Sequence, residues 1–297
     1  MSEFTLNLKT WHQRIFLLTS GAIILGYLAG LQLSQSTQLL LLLTAVAVTG
    51  LPHGALDPLV ARRAKLWQKG SGLLAFSILY LLIAGAAFSL WMFFPDTTLA
   101  SLIALSVWHF SGDWRSALPR VQCLAMSAAV ICAPALWHRT EVNEIFSHLT
   151  STNAHLFSSF MVYLAPLSIL TVLIALVRKK NSDVNLLIEF AILMLAAAVL
   201  PPLIFFLVYF CLLHSPRHLL EVTQGFTPAE VTSYGVVFTA MSLCLAVATF
   251  FLLPDTGISE RLTQVLFIGL LVLTVPHMLI IEHASKRDTL HSQRRTT

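Results

Sequence analysis

Charge is scarce in this chain. Asp, Glu, Lys and Arg together make up 11% of its 297 residues, where an average soluble domain carries about a quarter. So few charges cannot cover the surface of a soluble protein of this length. Hydrophobic residues make up 57%, and the solvent for most of the surface is therefore lipid. Cysteine is scarce too. Cys123, Cys132, Cys211 and Cys244 all sit inside apolar runs without a C-x-x-C pair, which excludes that type of thiol redox or metal motif and reads as small packing residues. There is no H-E-x-x-H, which argues against a zinc protease of that type. No two histidines are adjacent, unlike the clustered histidine boxes of membrane desaturases and hydroxylases. No repeat or low-complexity segment stands out. The first residues are polar and precede no small-residue cleavage site, so the first span is expected to be retained. The net charge of +4 does not suggest nucleic acid as a partner.

What is present is a succession of apolar runs near bilayer-crossing length: 13–33, 37–58, 70–94, 98–113, 118–137, 155–178, 184–200, 201–221, 229–253 and 260–284. Turn chemistry separates them at Pro95-Asp96, Asn181-Ser182-Asp183, Pro201-Pro202, Thr227-Pro228 and Pro254-Asp255-Thr256-Gly257. The weakest points of this division are the short fourth run and the Pro201-Pro202 boundary. With the N-terminus in the cytoplasm, the inner segments hold 16 of the 18 basic residues, and only Arg139 and Arg261 fall outside. That asymmetry follows the positive-inside rule. The expected architecture is an all-α, polytopic transmembrane helical bundle of about ten spans with both termini cytoplasmic. It would form a single membrane-embedded domain over 1–297 in the cell (inner) membrane.

Eleven histidines is a large number for such a chain, because polar residues in spans are costly and usually face the bundle interior. His53, His109, His214, His218, His277 and His283 all fall on even-numbered spans, which run from outside to inside. At ~1.5 Å per residue, the first five lie roughly 17–26 Å below the outer end, in a layer on the cytoplasmic side of the midplane. His214 and His218 are spaced i, i+4, which puts both rings on one face of a helix and suits two ligands of one metal. Asp57 and Asp113 follow His53 and His109 by four residues. They suit the carboxylates that accept the second N–H of a metal-bound imidazole, on the same helix or a neighbour. His277 is a candidate for a further ligand, a donor to one, or a substrate contact. Glu282 needs a partner at its depth, His283 is expected near water, and Arg217 is expected to pair with Asp57, Asp113, Glu221 or Glu282. His12, His138, His148, His155 and His291 lie in tails or at the outer face.

A site of neutral imidazoles suits iron, copper, zinc or nickel. It lies in hydrocarbon without a polar entry route, so its substrate is expected to be lipid-soluble. Trp108, Phe110, Phe205, Phe206, Tyr209 and Phe210 flank the histidine motifs and would pack against a rigid polyene.

Four blocks carry a resemblance: Gly50-Leu51-Pro52-His53-Gly54-Ala55-Leu56-Asp57, His109-Phe110-Ser111-Gly112-Asp113, His214-Ser215-Pro216-Arg217-His218 and Pro276-His277-Met278. In order and approximate separation they resemble the Brp/Blh family of membrane-embedded β-carotene 15,15′-dioxygenases, over residues 50 to 283. The resemblance implies Fe(2+) held by His53, His109, His214 and His218. It implies cleavage of the central double bond of β-carotene with O2 into two molecules of all-trans-retinal, and hand-over of retinal to a rhodopsin. Ser111 stands where the family often has glycine. The rival readings are a non-enzymatic carotenoid- or retinal-binding or transport protein, which would hold carotenoid without iron, and a b-type haem protein, which would show a Soret band.

Overall fold

The computed structural model describes residues 3–150, 152–178 and 184–293. Among them all regular structure is helical. We number the helices α1 (Glu3–Leu28), α2 (Gln35–Arg63), α3 (Gly70–Phe93), α4 (Pro95–Phe110), α5 (Arg120–Trp137), α6 (Arg139–Ser147), α7 (Ala154–Arg178), α8 (Val184–Val199), α9 (Pro202–Val222), α10 (Pro228–Leu252) and α11 (Ile258–Gln293). Each of the ten apolar runs is a helix. Seven of them, α2, α3, α5, α7, α9, α10 and the Ile258–Ala284 part of α11, are long and apolar enough to cross a membrane. The chain is thus a polytopic helical membrane protein.

The other three fall short of the expected ten for definable reasons. His12, Gln13 and Arg14 dilute the apolar content of α1. Helices α4 and α8 have 16 residues each, ~24 Å at 1.5 Å per residue, against a hydrocarbon core of ~30 Å. At the double proline the chain breaks. Helix α8 ends at Val199, Pro201 is extended at φ −54° and ψ 149°, and Pro202 starts α9, where a missing N–H costs nothing. The polar segment between α5 and α7 contains α6, which buries Val142 and Ile145.

Two compact units form, one from residues 1–46 and 96–220, the other from 47–95 and 221–297. In the first, α7 packs along α5 and α1 packs on α8. Small residues line these contacts: Ala129, Cys132, Ala135, Ala165, Ala196 and Ala197 have no exposed surface. Small side chains let helix axes approach closely, which is how membrane helices associate in the absence of a hydrophobic drive. In the second unit, α11 packs on α3, on the second half of α2 and on α10. Helix α10 buries none of its residues, so Cys244, expected as a packing residue, is exposed on it. Its start is fixed by a capping box, with the Thr227 and Glu230 side chains exchanging hydrogen bonds with each other's backbone N–H. Glu230 also accepts from Arg62 at 2.5 Å, and the Arg62 guanidinium lies 5.7–5.9 Å from the rings of Trp67, Phe226 and Tyr234.

Two stretches wind wider than an α-helix. Val46–Gly50 and Leu207–His214 are π-helical, and each lies just before a proline in a histidine block. Pro52 has no N–H for the carbonyl of Val48, and Pro216 has none for that of Leu212. Their rings also crowd those carbonyls, and wider turns accommodate both. At Leu212 the structure supplies another donor: His12 Nε2 donates to its carbonyl at 2.8 Å. Such π segments occur often at functional sites.

Candidate functional site

In the unit of residues 1–46 and 96–220, three histidines meet. His109 ends α4, and His214 and His218 sit on α9. The His109 and His214 Nε2 atoms are 3.1 Å apart, with ring centroids 4.9 Å apart and planes at 73°. The His218 ring is stacked on that of His214 at 6.2 Å and tilted 14°, and it meets His109 edge to face at 6.1 Å. The i, i+4 expectation for His214 and His218 thus holds on the backbone.

Asp113 orients this cluster. It follows α4 in a short 3₁₀ turn, Ser111–Trp114, and its side chain is 6% exposed. His214 Nδ1–H donates to its carboxylate at 3.0 and 3.1 Å, and the Tyr209 hydroxyl donates to Oδ2 at 2.9 Å. The aspartate four residues after His109 therefore serves a histidine on a different helix. With Nδ1 protonated, neutral His214 presents a lone pair at Nε2. The π-helix makes the double grip on Asp113 feasible. Residues five apart are ~140° apart around an α-helix. The i→i+5 winding of a π-helix brings Tyr209 and His214 towards one face.

A second polar layer backs the first. The Trp114 indole N–H donates to Glu189 Oε1 at 2.8 Å, and Arg217 is paired bidentately with the same carboxylate. Glu189 is 2% exposed. It ties the segment carrying Asp113 to the segment carrying His214 and His218. None of the partners expected for Arg217 takes this place. Glu189 sits in an apolar helix with no neighbouring motif, but a lone carboxylate within an apolar run is itself a signal that a cation faces it.

Phe110, Tyr209 and Phe210 are buried and close on His214, with centroids 4.5, 6.3 and 5.7 Å from its ring. Their faces fix the imidazole. Phe205 is buried as well, Phe206 stacks on Phe210 at 5.1 Å, and Trp108 carries Arg120 over its ring at 4.8 Å. Ser111, the departure from glycine, donates to the Trp108 carbonyl at 2.6 Å.

In the unit of residues 47–95 and 221–297, a second cluster forms around Asp57. His277 Nδ1–H donates to Oδ1 at 2.6 Å. The Tyr80 hydroxyl donates to Oδ2 at 3.0 Å and lies 3.2 Å from the Leu273 carbonyl. The side chains of His277 and Asp57 are 4% and 1% exposed. His53 meets the His277 ring edge to face, with centroids at 5.5 Å and planes at 86°. Here too the aspartate, four residues after His53, serves a histidine from elsewhere. Glu282 is half-buried and His283 exposed. His138, His148 and His155 stand apart from both clusters. The side chain of His291 lies outside the described residues.

The donor set fits a metal. At metal–nitrogen distances of ~2.0–2.1 Å, two imidazole nitrogens on one ion are roughly 2.9–3.4 Å apart, which spans the 3.1 Å between His109 and His214. A buried carboxylate holding the far nitrogen of one ring is the usual support of a metal-binding histidine.

The model of the family described as Beta-carotene 15,15'-dioxygenase matches residues 44–284. The chain belongs to this family. The β-carotene 15,15′-dioxygenase family match spans all four histidine blocks. Beta-carotene 15,15'-dioxygenase of Uncultured marine bacterium 66A03 is 29% identical over 254 residues, covering 81% of this chain and 91% of that protein. No solved structure matches the chain significantly.

Proposed function

We propose that this protein cleaves the central 15,15′ double bond of β-carotene with O2, giving two molecules of all-trans-retinal, and that it binds Fe(2+) through His53, His109, His214 and His218. The observation that carries this reading is the pair of imidazole Nε2 atoms 3.1 Å apart, with the far side of His214 held by Asp113, in a chain of the dioxygenase family. Iron(II) at the histidines would supply activation of dioxygen. The chain's own residues do the rest. Asp113 and Tyr209 fix the tautomer and direction of His214. Phe210, stacked on its ring, and Phe110, edge to face with it, confine the imidazole and keep water from it. Glu189, Trp114 and Arg217 hold the two segments of the cluster in register. The placement is organised before substrate arrives, which is where a positioned site gains rate.

The whole chain, 1–297, acts as one catalytic domain in the cell (inner) membrane. Its apolar substrate arrives from the bilayer, and its product is a lipid-soluble aldehyde suited to direct hand-over to a rhodopsin. The test is expression in cells that make β-carotene, with extraction of retinal and metal analysis of the purified protein. Retinal and one iron per chain are expected from the native sequence, and neither from His214→Ala. Retinal formed without bound iron would remove the metal assignment, and bound carotenoid without retinal would remove the reaction.

A further inference from the structure

The cluster around Asp57 is assembled from the same four groups as that around Asp113, joined in the same way. A buried carboxylate accepts from a histidine Nδ1–H on one oxygen and from a tyrosine hydroxyl on the other. A second histidine, four residues before the aspartate, meets the first edge to face. In the Asp113 cluster the histidine so held is His214, whose role in metal binding is proposed above. In the Asp57 cluster it is His277.

The physical consequences run in parallel. Because Nδ1–H is committed to Asp57, the neutral His277 ring carries its lone pair at Nε2. Pinning one tautomer matters little for packing and much for a metal ligand. The arrangement is costly to build in an apolar bundle. It takes three polar side chains from three helices, His277 from α11, Asp57 from α2 and Tyr80 from α3. The ring geometry also suits a shared ion. With metal–nitrogen bonds of ~2.0–2.1 Å, centroids of two imidazoles on one metal are roughly 4.5–5.5 Å apart. His53 and His277 stand at 5.5 Å with planes at 86°, and His109 and His214 at 4.9 Å and 73°.

We propose that His277 binds the metal through Nε2 beside His53, as a fifth imidazole donor. Asp57 and Tyr80 do for it what Asp113 and Tyr209 do for His214. This rests on the metal reading of the preceding section. A hydrocarbon substrate brings no donor atom of its own, so five protein donors are compatible with turnover.

The experiment uses the full chain, purified in detergent, loaded with iron(II) and exposed to nitric oxide as a paramagnetic probe. Pulsed EPR then counts the imidazole nitrogens coupled to the metal. Five are expected in the native protein and four in His277→Ala, with iron affinity reduced at least 10-fold and partly restored by added imidazole. Asp57→Asn is expected to keep five nitrogens while weakening iron about 10–100-fold. Four nitrogens in the native protein overturn the proposal without any variant having to fold. So does a native count and affinity in His277→Ala when His214→Ala has lost its iron, a result that leaves the four-histidine reading standing. A native protein that takes up no iron removes both.

Discussion

The two His–Asp–Tyr clusters solve one problem with different parts. Around Asp113, histidine and tyrosine come from the same helix, five residues apart, and a π-helical stretch turns them to one face. Around Asp57, they come from two helices, and Tyr80 shares its hydroxyl between the carboxylate and the Leu273 carbonyl on the histidine's own helix. The first cluster is braced from behind by Glu189, with Trp114 and Arg217 upon it. The second is braced by the aspartate itself, which joins three helices. The difference teaches that a ligand histidine can be oriented either by distorting one helix or by locking several, and that the two routes break differently.

The largest expected effect comes from removing the oriented ring. His214→Ala should lose bound iron and retinal together, and survival of either in extracts and metal analysis would undo the equivalence drawn between the clusters. Next, Glu189→Ala leaves the Arg217 cation without its buried partner. Loss of one partner of a buried pair costs roughly 3–5 kcal/mol, and Arg217, 23% exposed, falls at the low end. Thermal unfolding in detergent should show that drop. The aspartates come third. Asp113→Asn and Asp57→Asn should each weaken iron binding about 10–100-fold, read by competition with a chelator. Only Asp57→Asn should also cost about 1–3 kcal/mol of stability, because it alone clasps three helices. Equal stability losses would erase the distinction. Fourth, Tyr209→Phe removes one hydrogen bond and Tyr80→Phe one shared between two acceptors, about 1 kcal/mol each. The loss should appear in iron affinity for Tyr209 and chiefly in melting temperature for Tyr80. Smallest of all, Cys244→Ala on α10 should leave retinal formation and stability within about 0.5 kcal/mol of the native protein.

Much of this was legible in the residues. Apolar runs located every helix but α6, because a helix satisfies its own backbone in lipid. The His-x-x-x-Asp spacing picked out Asp57 and Asp113. It left the partner open between the same helix and a neighbour, and the hydrogen bonds take the neighbour, a choice that spacing along one helix does not contain. Tyr209 drew notice only as an aromatic. Its reach to Asp113 depends on π winding, which no periodicity of apolar residues announces. Glu189 lay unremarked in α8. His12, read as part of a tail, donates to the very carbonyl that Pro216 cannot serve. The expectation of ten crossings came from the apolar runs, of which seven form helices of crossing length and apolarity, while α4 and α8 have 16 residues each.

Helix α10 has a consequence of another kind. None of its 25 residues is fully buried, so what its outward face must satisfy is little more than solubility in oil. That face can be rewritten with other apolar residues, while the inner face keeps its packing on α11 and on the segment that carries His53. That makes it the natural place to attach a spectroscopic label, a fluorophore or a tether to another membrane protein.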